Sequence, residues 1–248
     1  MKQLLAVLAL AIVTALAGPA PSHASSLSAS GTVSADAPAQ PAAALTATER
    51  AQRRLNALGC SAGPVDGQAG NWTRSAIIRF QSRHGFAQTG TLTTTTRTRL
   101  YADNARRCDV RPVPARSGTG RRIVISQKQN WVWLVGPAGR TIAQGGMIDN
   151  AGELARGSYG TGSYCGRAAR IRLNRSGSVW LDNFIRFAAC GFGFHQIPRS
   201  MSSGAQIHAD WMLGTNMAAS HGCIRLSRAM SFKVWDFTAA GRTPVRVV

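Results

Sequence analysis

The hydrophobic period of the chain changes near residue 120, and this change limits the folds that the chain can adopt. Before it, apolar residues recur every three or four positions, as on the buried face of an amphipathic helix. After it, short β-branched and aromatic runs between turn residues predict strands. The intervening segment, 109–120 (DVRPVPARSGTG), contains the Pro, Gly and Ser typical of a linker. We therefore expect a helical domain at residues 44–108 and a mostly β domain at residues 121–248.

Three helices are predicted in the first domain. Thr46 and Glu49 have the spacing of a capping box at the start of the first helix. Asn71 is a candidate cap for the second helix, which Gly85 would end. The third is expected within residues 91–105, although their threonine run has low helix propensity. One face of the second helix is expected to contain Trp72, Ala76 and Phe80.

The second domain is predicted to be a sandwich or a curved sheet with at least one helix. Its first strands are the runs RRIVIS, NWVWLVG and RTIAQG, and the last two are separated by a turn at Gly136–Arg140. Apolar residues at helical spacing in the last third predict the helix, which Gly241 would end. Further strands are expected at 171–173, 179–181, 184–187 and 245–248.

The first 24 residues have the pattern of a secretory signal. Lys2 precedes an apolar run from Leu4 to Leu16, and Ser22 and Ala24 are the small residues that flank a cleavage site. The run is shorter than the roughly 20 residues that a membrane-spanning helix needs. We therefore predict a signal peptide at residues 1–24, a small, polar linker at residues 25–43, and export of the protein, which we expect to be a monomer.

The chain is strongly basic, with 29 Lys and Arg against 10 Asp and Glu and a formal net charge of +19. A diffuse positive charge attracts anionic polymers without specific contacts, so an anionic polymer surface is a candidate partner. Solubility alone would also account for it. Nucleic acid is not expected, because an exported protein rarely meets it and the sequence contains no zinc-finger or RNA-binding motif.

Five cysteines in an oxidising compartment cannot all pair within one chain. The simplest pairing is Cys60–Cys108 in the first domain and Cys165–Cys190 in the second, although four cysteines allow three connectivities. This pairing leaves Cys223 as a free thiol.

The motif SHGC contains the groups that thiol catalysis requires. A cysteine attacks a carbonyl as the thiolate, so Cys223 needs a neighbouring base. Gly222 permits a tight turn, and its amide and that of Cys223 are candidate oxyanion donors. Adjacent His221 is a poor base, because neighbouring strand residues face opposite sides. His195 and His208 are the alternatives.

Residues 121–248 resemble the YkuD-type L,D-transpeptidases. The resemblance rests on SHGCIRL, on FHQIP around His195, and on the segment 145–164 (GGMIDNAGELARGSYGTGSY). It implies a cysteine acyltransferase that forms a thioester on a peptidoglycan tetrapeptide stem and resolves it with a neighbouring amine, making a 3→3 cross-link. It implies no cofactor and no metal.

The resemblance also implies roles for individual residues. Cys223 would be the nucleophile and His195 its general base, with the Gln196 carbonyl holding the imidazole tautomer. The 24 residues between His195 and Ser220 exceed the usual spacing of the family, and His208, with 11, also departs from it. His208 would then be a lid residue, a substrate-contact residue or a merely exposed residue in an enlarged loop. The oxyanion wall would comprise Ser220, His221 and Gly222, and the candidate substrate-side residues are Arg225, Gln196 and His208.

Residues 44–108 resemble the peptidoglycan-binding type 1 family. The residues that carry this resemblance are AQRRLNALG, GPVDGQAGNWTRSAIIRFQSRHGF and TGTLTTTTRTRL, in that order along the domain. The resemblance implies that the first domain binds the bacterial cell wall, with peptidoglycan as the partner.

Other functions remain as alternatives. Water in place of the acceptor amine would make the chain an L,D-carboxypeptidase, and loss of catalysis would leave a wall-binding protein. A zinc site lacks compact ligand spacing, and a serine hydrolase lacks a G-x-S-x-G motif. Arg225 could form a structural ion pair with an acidic side chain instead of binding a carboxylate of the stem peptide.

Overall fold

The first helix begins directly at the predicted capping box, where Thr46 and Glu49 exchange hydrogen bonds between side chain and backbone. The computed structural model describes residues 44–248, apart from the side chain of Cys190. The predicted signal peptide 1–24 and linker 25–43 lie outside the described residues. Within 44–248, no helix is long and apolar enough to cross a membrane.

The helical part contains α1 (Ala47–Ala57), α2 (Asn71–His84) and α3 (Thr94–Tyr101), as predicted. Two details differ. Gly70 is the N-cap of α2, so Asn71 is the first helical residue, not the cap. Trp72 is 46% exposed, since the face of α2 that packs inward begins at the next residue. A disulfide joins Cys60 and Cys108 beneath these helices.

The second part is a continuous mixed sheet with one helix, α4 (Arg228–Phe237). The predicted combination of a helical module and a mostly β domain is confirmed. A single strand, β6 (Val179–Arg186), covers 179–181 and most of 184–187, so the prediction of two separate strands there was wrong. Asn183 has a φ of 53° within β6, yet pairing continues on both sides of it. The strands are β1 (Arg122–Ser126), β2 (Trp131–Val135), β3 (Thr141–Ile148), β4 (Gly157–Gly160), β5 (Arg170–Ser176), β6 (Val179–Arg186), β7 (Gly193–Gln196), β8 (Arg199–Ser200), β9 (Ile224–Leu226) and β10 (Pro244–Val247).

The strand order explains how distant segments meet. Neighbouring strands run β4-β10-β1-β2-β3-β9-β7-β6-β5, with β8 paired to β6. β9 lies between β3 and β7, antiparallel to the first and parallel to the second. The main apolar cluster includes residues of β1, β2, β7, β9 and α4, so the central strands are fixed by burial.

Residues 109–120 are firmly attached to both parts of the structure. Arg111 is 1% exposed and donates to the carbonyls of Cys108 and Gln129, while its guanidinium lies 4.0 Å from the centre of the Trp131 ring. Residues 44–248 accordingly form one compact unit. The domain division at residues 108 and 121 stays a prediction.

Candidate active site

The two parallel strands β7 and β9 bring the FHQIP and SHGC segments together. His195 on β7 is in register with Arg225 on β9, and Cys223 precedes β9 by one residue. His195, Ser220, His221, Cys223 and Arg225 line one pocket of about 340 Å³, which we call the histidine pocket. The structure therefore gathers residues separated by more than twenty positions in the sequence.

His195 is held as a neutral base. Its side chain is 2% exposed, and burial lowers its pKa to about 4. The ring Nδ1 lies 2.5 Å from the Gln196 carbonyl oxygen, which can only accept a hydrogen bond. Nδ1 therefore carries the proton, and Nε2 has a lone pair available for a proton from elsewhere. The Phe184 ring stacks on the imidazole with a centroid distance of 6.2 Å.

Cys223 is a free thiol that is protonated in the resting structure. Its Sγ donates to the Gly191 carbonyl at 3.3 Å. Burial raises its pKa above the ordinary value of 9.0, against the opposing effects of the Gly193 backbone, Arg225 and Arg186. A neutral thiol beside a neutral imidazole needs proton transfer during attack, which is general base catalysis.

Ser220 fixes the turn that leads into Cys223. Its Oγ accepts a hydrogen bond from the Gly222 amide at 2.9 Å, and the Asn150 side chain donates to its carbonyl at 3.0 Å. The Gly222 amide is thus already engaged, and the predicted oxyanion role for this amide requires its bond to Ser220 to break. Asn150 was not predicted as a site residue, although it lies in the quoted segment 145–164.

Only glycine fits at position 222. Its φ is 106°, a conformation that residues with a Cβ rarely adopt. A Cβ there would lie 1.9 Å from Cε1 of Phe192. The close approach of the Phe192 ring to the backbone therefore determines the path of the chain immediately before Cys223.

The remaining predicted residues lie around the histidine pocket. Arg225 is 9% exposed, and neither of the two ion pairs found among residues 44–248 involves it, which removes support for the ion-pair alternative. His208 does not line the pocket, but Arg225 and Asp210 both influence its pKa. The buried Nε2 of His208 has no hydrogen-bond partner among the described residues.

The enlarged loop between His195 and Ser220 contacts the helical part. Arg79 of α2 is 7% exposed and donates to the carbonyls of Trp211 at 2.6 Å and Leu213 at 2.9 Å. The same guanidinium donates to the Cys60 carbonyl at 2.9 Å. The loop is thus held against the helices at its middle, a contact that the sequence pattern did not predict.

A second pocket of about 240 Å³ also adjoins Cys223, and we call it the arginine pocket. Cys223 and His221 line both pockets. The arginine pocket is also lined by Arg167, Arg175 and Arg186. None of these arginines was singled out from the sequence, because Arg167 precedes β5, Arg175 lies on β5 and Arg186 ends β6, and no motif links them.

Comparison with known proteins decides the family. The L,D-transpeptidase catalytic domain family, YkuD, matches residues 88–247, which is more than half of the chain. The chain belongs to this family. A putative peptidoglycan-binding domain also matches, at residues 46–100. This YkuD protein is therefore a transpeptidase-type cell-wall enzyme with peptidoglycan as its substrate.

Several solved structures are similar to this YkuD protein. The L,D-transpeptidase from Xylanimonas cellulosilytica is 23% identical, covers 81% of this chain and 92% of its own, and has a TM-score of 0.47. The L,D-transpeptidase from Stackebrandtia nassauensis is 20% identical, with 81% and 90% covered and a TM-score of 0.41. L,D-transpeptidase 1 from Mycobacterium tuberculosis is 16% identical, with 53% and 63% covered and a TM-score of 0.35. No curated protein matches.

The second predicted disulfide, Cys165–Cys190, lies partly outside the described residues. Cys165 is disulfide-bonded, but the side chain of Cys190 lies outside the described residues, so the pairing of these two cysteines stays a prediction. In the described part of the chain, no three His, Cys, Asp or Glu side chains are placed to hold a metal ion.

Proposed function

We propose that the chain is an exported L,D-transpeptidase that forms 3→3 peptidoglycan cross-links through a thioester on Cys223. The observation that carries this proposal is the pair formed by a neutral, buried His195 and a free, protonated Cys223 in one pocket. The two groups are complementary, because the thiol must lose a proton to attack and the unprotonated Nε2 of the imidazole can accept it.

In the acylation step, Cys223 Sγ attacks the carbonyl of the third stem residue while His195 Nε2 takes the thiol proton. The C–S bond forms, the C–N bond to the terminal D-Ala breaks, and the imidazolium returns the proton to the departing amine. The hydrogen bond from Nδ1 to the Gln196 carbonyl supports this role, because it stabilises the imidazolium that forms transiently.

In the second step, the side-chain amine of a neighbouring stem attacks the thioester. A new C–N bond forms, the C–S bond breaks, and the proton lost by the amine returns to Cys223 through His195. Two pockets that meet at the sulfur provide separate approaches for the two peptides. Water in place of the amine would give the carboxypeptidase reaction instead.

The helical module would retain the enzyme on its substrate. Binding of the wall by this module raises the local concentration of stem peptides at the tethered catalytic site. The net charge of +19 supports an additional attraction to anionic wall polymers. Export is supported by the disulfide between Cys60 and Cys108, because such bonds persist in oxidising compartments.

A purified disaccharide-tetrapeptide, incubated with the protein and followed by mass spectrometry, tests the proposal. We expect loss of D-Ala together with a cross-linked dimer, and neither product with Cys223→Ala. Loss of D-Ala without a dimer would establish a carboxypeptidase. Absence of both, with the protein still bound to isolated walls, would identify a wall-binding protein and refute the proposal.

The identity of the base is tested by two matched substitutions. His195→Ala should slow D-Ala release by on the order of 100-fold or more, since it removes the proton acceptor. His208→Ala should have a much smaller effect, because His208 does not line the histidine pocket. The reverse ranking would assign the base to His208.

A further inference from the structure

The arginine pocket contains a buried cation that lacks an anionic partner. Arg186, at the end of β6, is 2% exposed. Among the described residues, its side chain makes one long hydrogen bond, from Nε to the Ala168 carbonyl at 3.4 Å, and its guanidinium lies 4.9 Å from the centre of the Phe184 ring. Neither ion pair among the described residues, Arg107–Asp109 or Arg199–Asp182, involves it. Buried charges in proteins are normally paired, so an unpaired guanidinium at a pocket wall is suited to an anionic ligand.

Two further arginines increase the positive charge of this pocket. Arg167 and Arg175 are both exposed, and Arg167 lies near enough to Arg186 to lower the pKa of its guanidinium. Among the described residues that line the pocket, none is acidic. The positive charges that line the pocket repel one another, which is electrostatically unfavourable. An anion bound in the pocket would offset this repulsion.

The position of the pocket identifies which anion would be bound. Cys223 lines the arginine pocket, and the charge of Arg186 acts on its thiol, so Arg186 lies near the carbonyl carbon that the sulfur attacks. In a tetrapeptide stem, the nearest carboxylate to that carbon belongs to the terminal D-Ala, on the carbon that carries the leaving nitrogen. An acceptor amine with a carboxylate on its own carbon, as at the D-centre of diaminopimelate, presents the same group in the same relation.

We propose that Arg186, with Arg167 and Arg175, forms a subsite for the carboxylate on the carbon that bears the reacting nitrogen. The subsite holds the leaving D-Ala in the first step and the acceptor in the second. It therefore selects D-amino acid amines that retain their carboxylate, such as diaminopimelate, over a lysine side chain or an amidated acceptor. This inference rests on the proposed function.

A pair of small acceptors tests the subsite without changing the donor. The protein is incubated with disaccharide-tetrapeptide and with equal concentrations of D-methionine or D-methioninamide, which differ only in the negative charge. D-Ala release and the mass of the exchanged product are measured. We expect roughly tenfold or greater preference for D-methionine, the magnitude of one charge-assisted hydrogen bond.

Substitution of the arginines assigns that preference to the pocket. Arg186→Met should slow acylation by the donor and should also lower the ratio of transfer to D-methionine over transfer to D-methioninamide, because this ratio compares two acceptors on the same acyl-enzyme. Arg167→Met and Arg175→Met, both at exposed positions, test the same point if the buried variant fails to fold. Arg172→Met is the matched control, because this arginine lies on β5 with Arg175 but donates to Asn183 and lines a different cleft.

The outcomes separate this inference from the proposed function. Preference for D-methionine that falls in the pocket variants and persists in Arg172→Met supports the subsite. Equal transfer to both amines, or a preference that survives in all the pocket variants, overturns the subsite and leaves the transpeptidase proposal intact. Failure to release D-Ala from the donor at all overturns both.

Discussion

Replacing Arg79 by methionine removes the buried contact that joins the enlarged loop to the helical part, where Ser75 also contacts Met217 and Asn216 donates to the Gln88 carbonyl. Methionine fills much of the same space but donates no hydrogen bond. Three carbonyl oxygens, those of Cys60, Trp211 and Leu213, would lose a charged donor at 2.6–2.9 Å. Because Arg79 is 7% exposed, water does not readily replace it.

The cost can be estimated from these bonds. A hydrogen bond to a charged group contributes about 1.5–3 kcal/mol to stability. Removing Arg79 also removes the cost of burying its charge, which is the burial that lowers its pKa to about 10, so part of the loss is offset. We therefore expect the free energy of unfolding to fall by about 3–5 kcal/mol. For a protein of this size, that lowers Tm by roughly 10 °C.

Thermal unfolding and amide hydrogen exchange measure the two consequences. Exchange should become faster in residues 207–218 of Arg79→Met than in the native protein, since the loop loses its anchor. Arg53→Met, at an exposed position on α1, is the control and should change neither quantity. A Tm within about 2 °C of the native value, with unchanged exchange in the loop, would refute this account of the loop.

Three other perturbations have defined outcomes. Gly222→Ala should lower the rate of D-Ala release by on the order of 100-fold, because the added Cβ would collide with Phe192 and displace Cys223. Near-native activity would contradict this, since it would show that the turn can relax. The rate of Cys223 alkylation by iodoacetamide should be low at neutral pH and rise only above pH 9.0, because burial raises the thiol pKa. A high rate that is already constant with pH near neutrality would indicate a thiolate–imidazolium pair instead. Cys60→Ala should destabilise the protein by about 4 kcal/mol in chemical unfolding, since the disulfide closes a loop across 48 positions; an unchanged midpoint would contradict this.

Local signals in the sequence predicted the helical module well. The capping box at Thr46 and Glu49 and the left-handed Gly85 depend on neighbouring residues, which a sequence displays directly. The helix at Thr94–Tyr101 was expected against the low helix propensity of its threonine run. The exposed position of Trp72 was missed, because an aromatic residue at helical spacing does not reveal where the buried face of the helix begins.

The site was predictable by motif but not by arrangement. SHGC and FHQIP identified Cys223 and His195 as candidates, whereas their meeting depends on the parallel pairing of β7 and β9. Those strands have four and three residues, too few for a period to be recognised. The arginine pocket and the Arg79 contact were missed for a similar reason, since both join segments that are distant in the sequence.

The central claim is that Cys223 carries the acyl group and His195 takes its proton. The most direct test is to quench the protein within seconds of adding disaccharide-tetrapeptide and to measure its intact mass. We predict a mass increase equal to the donor minus D-Ala, mapped to Cys223, released by hydroxylamine, absent in Cys223→Ala and strongly slowed in His195→Ala. Turnover without this adduct, or an adduct on any other residue, would contradict the account.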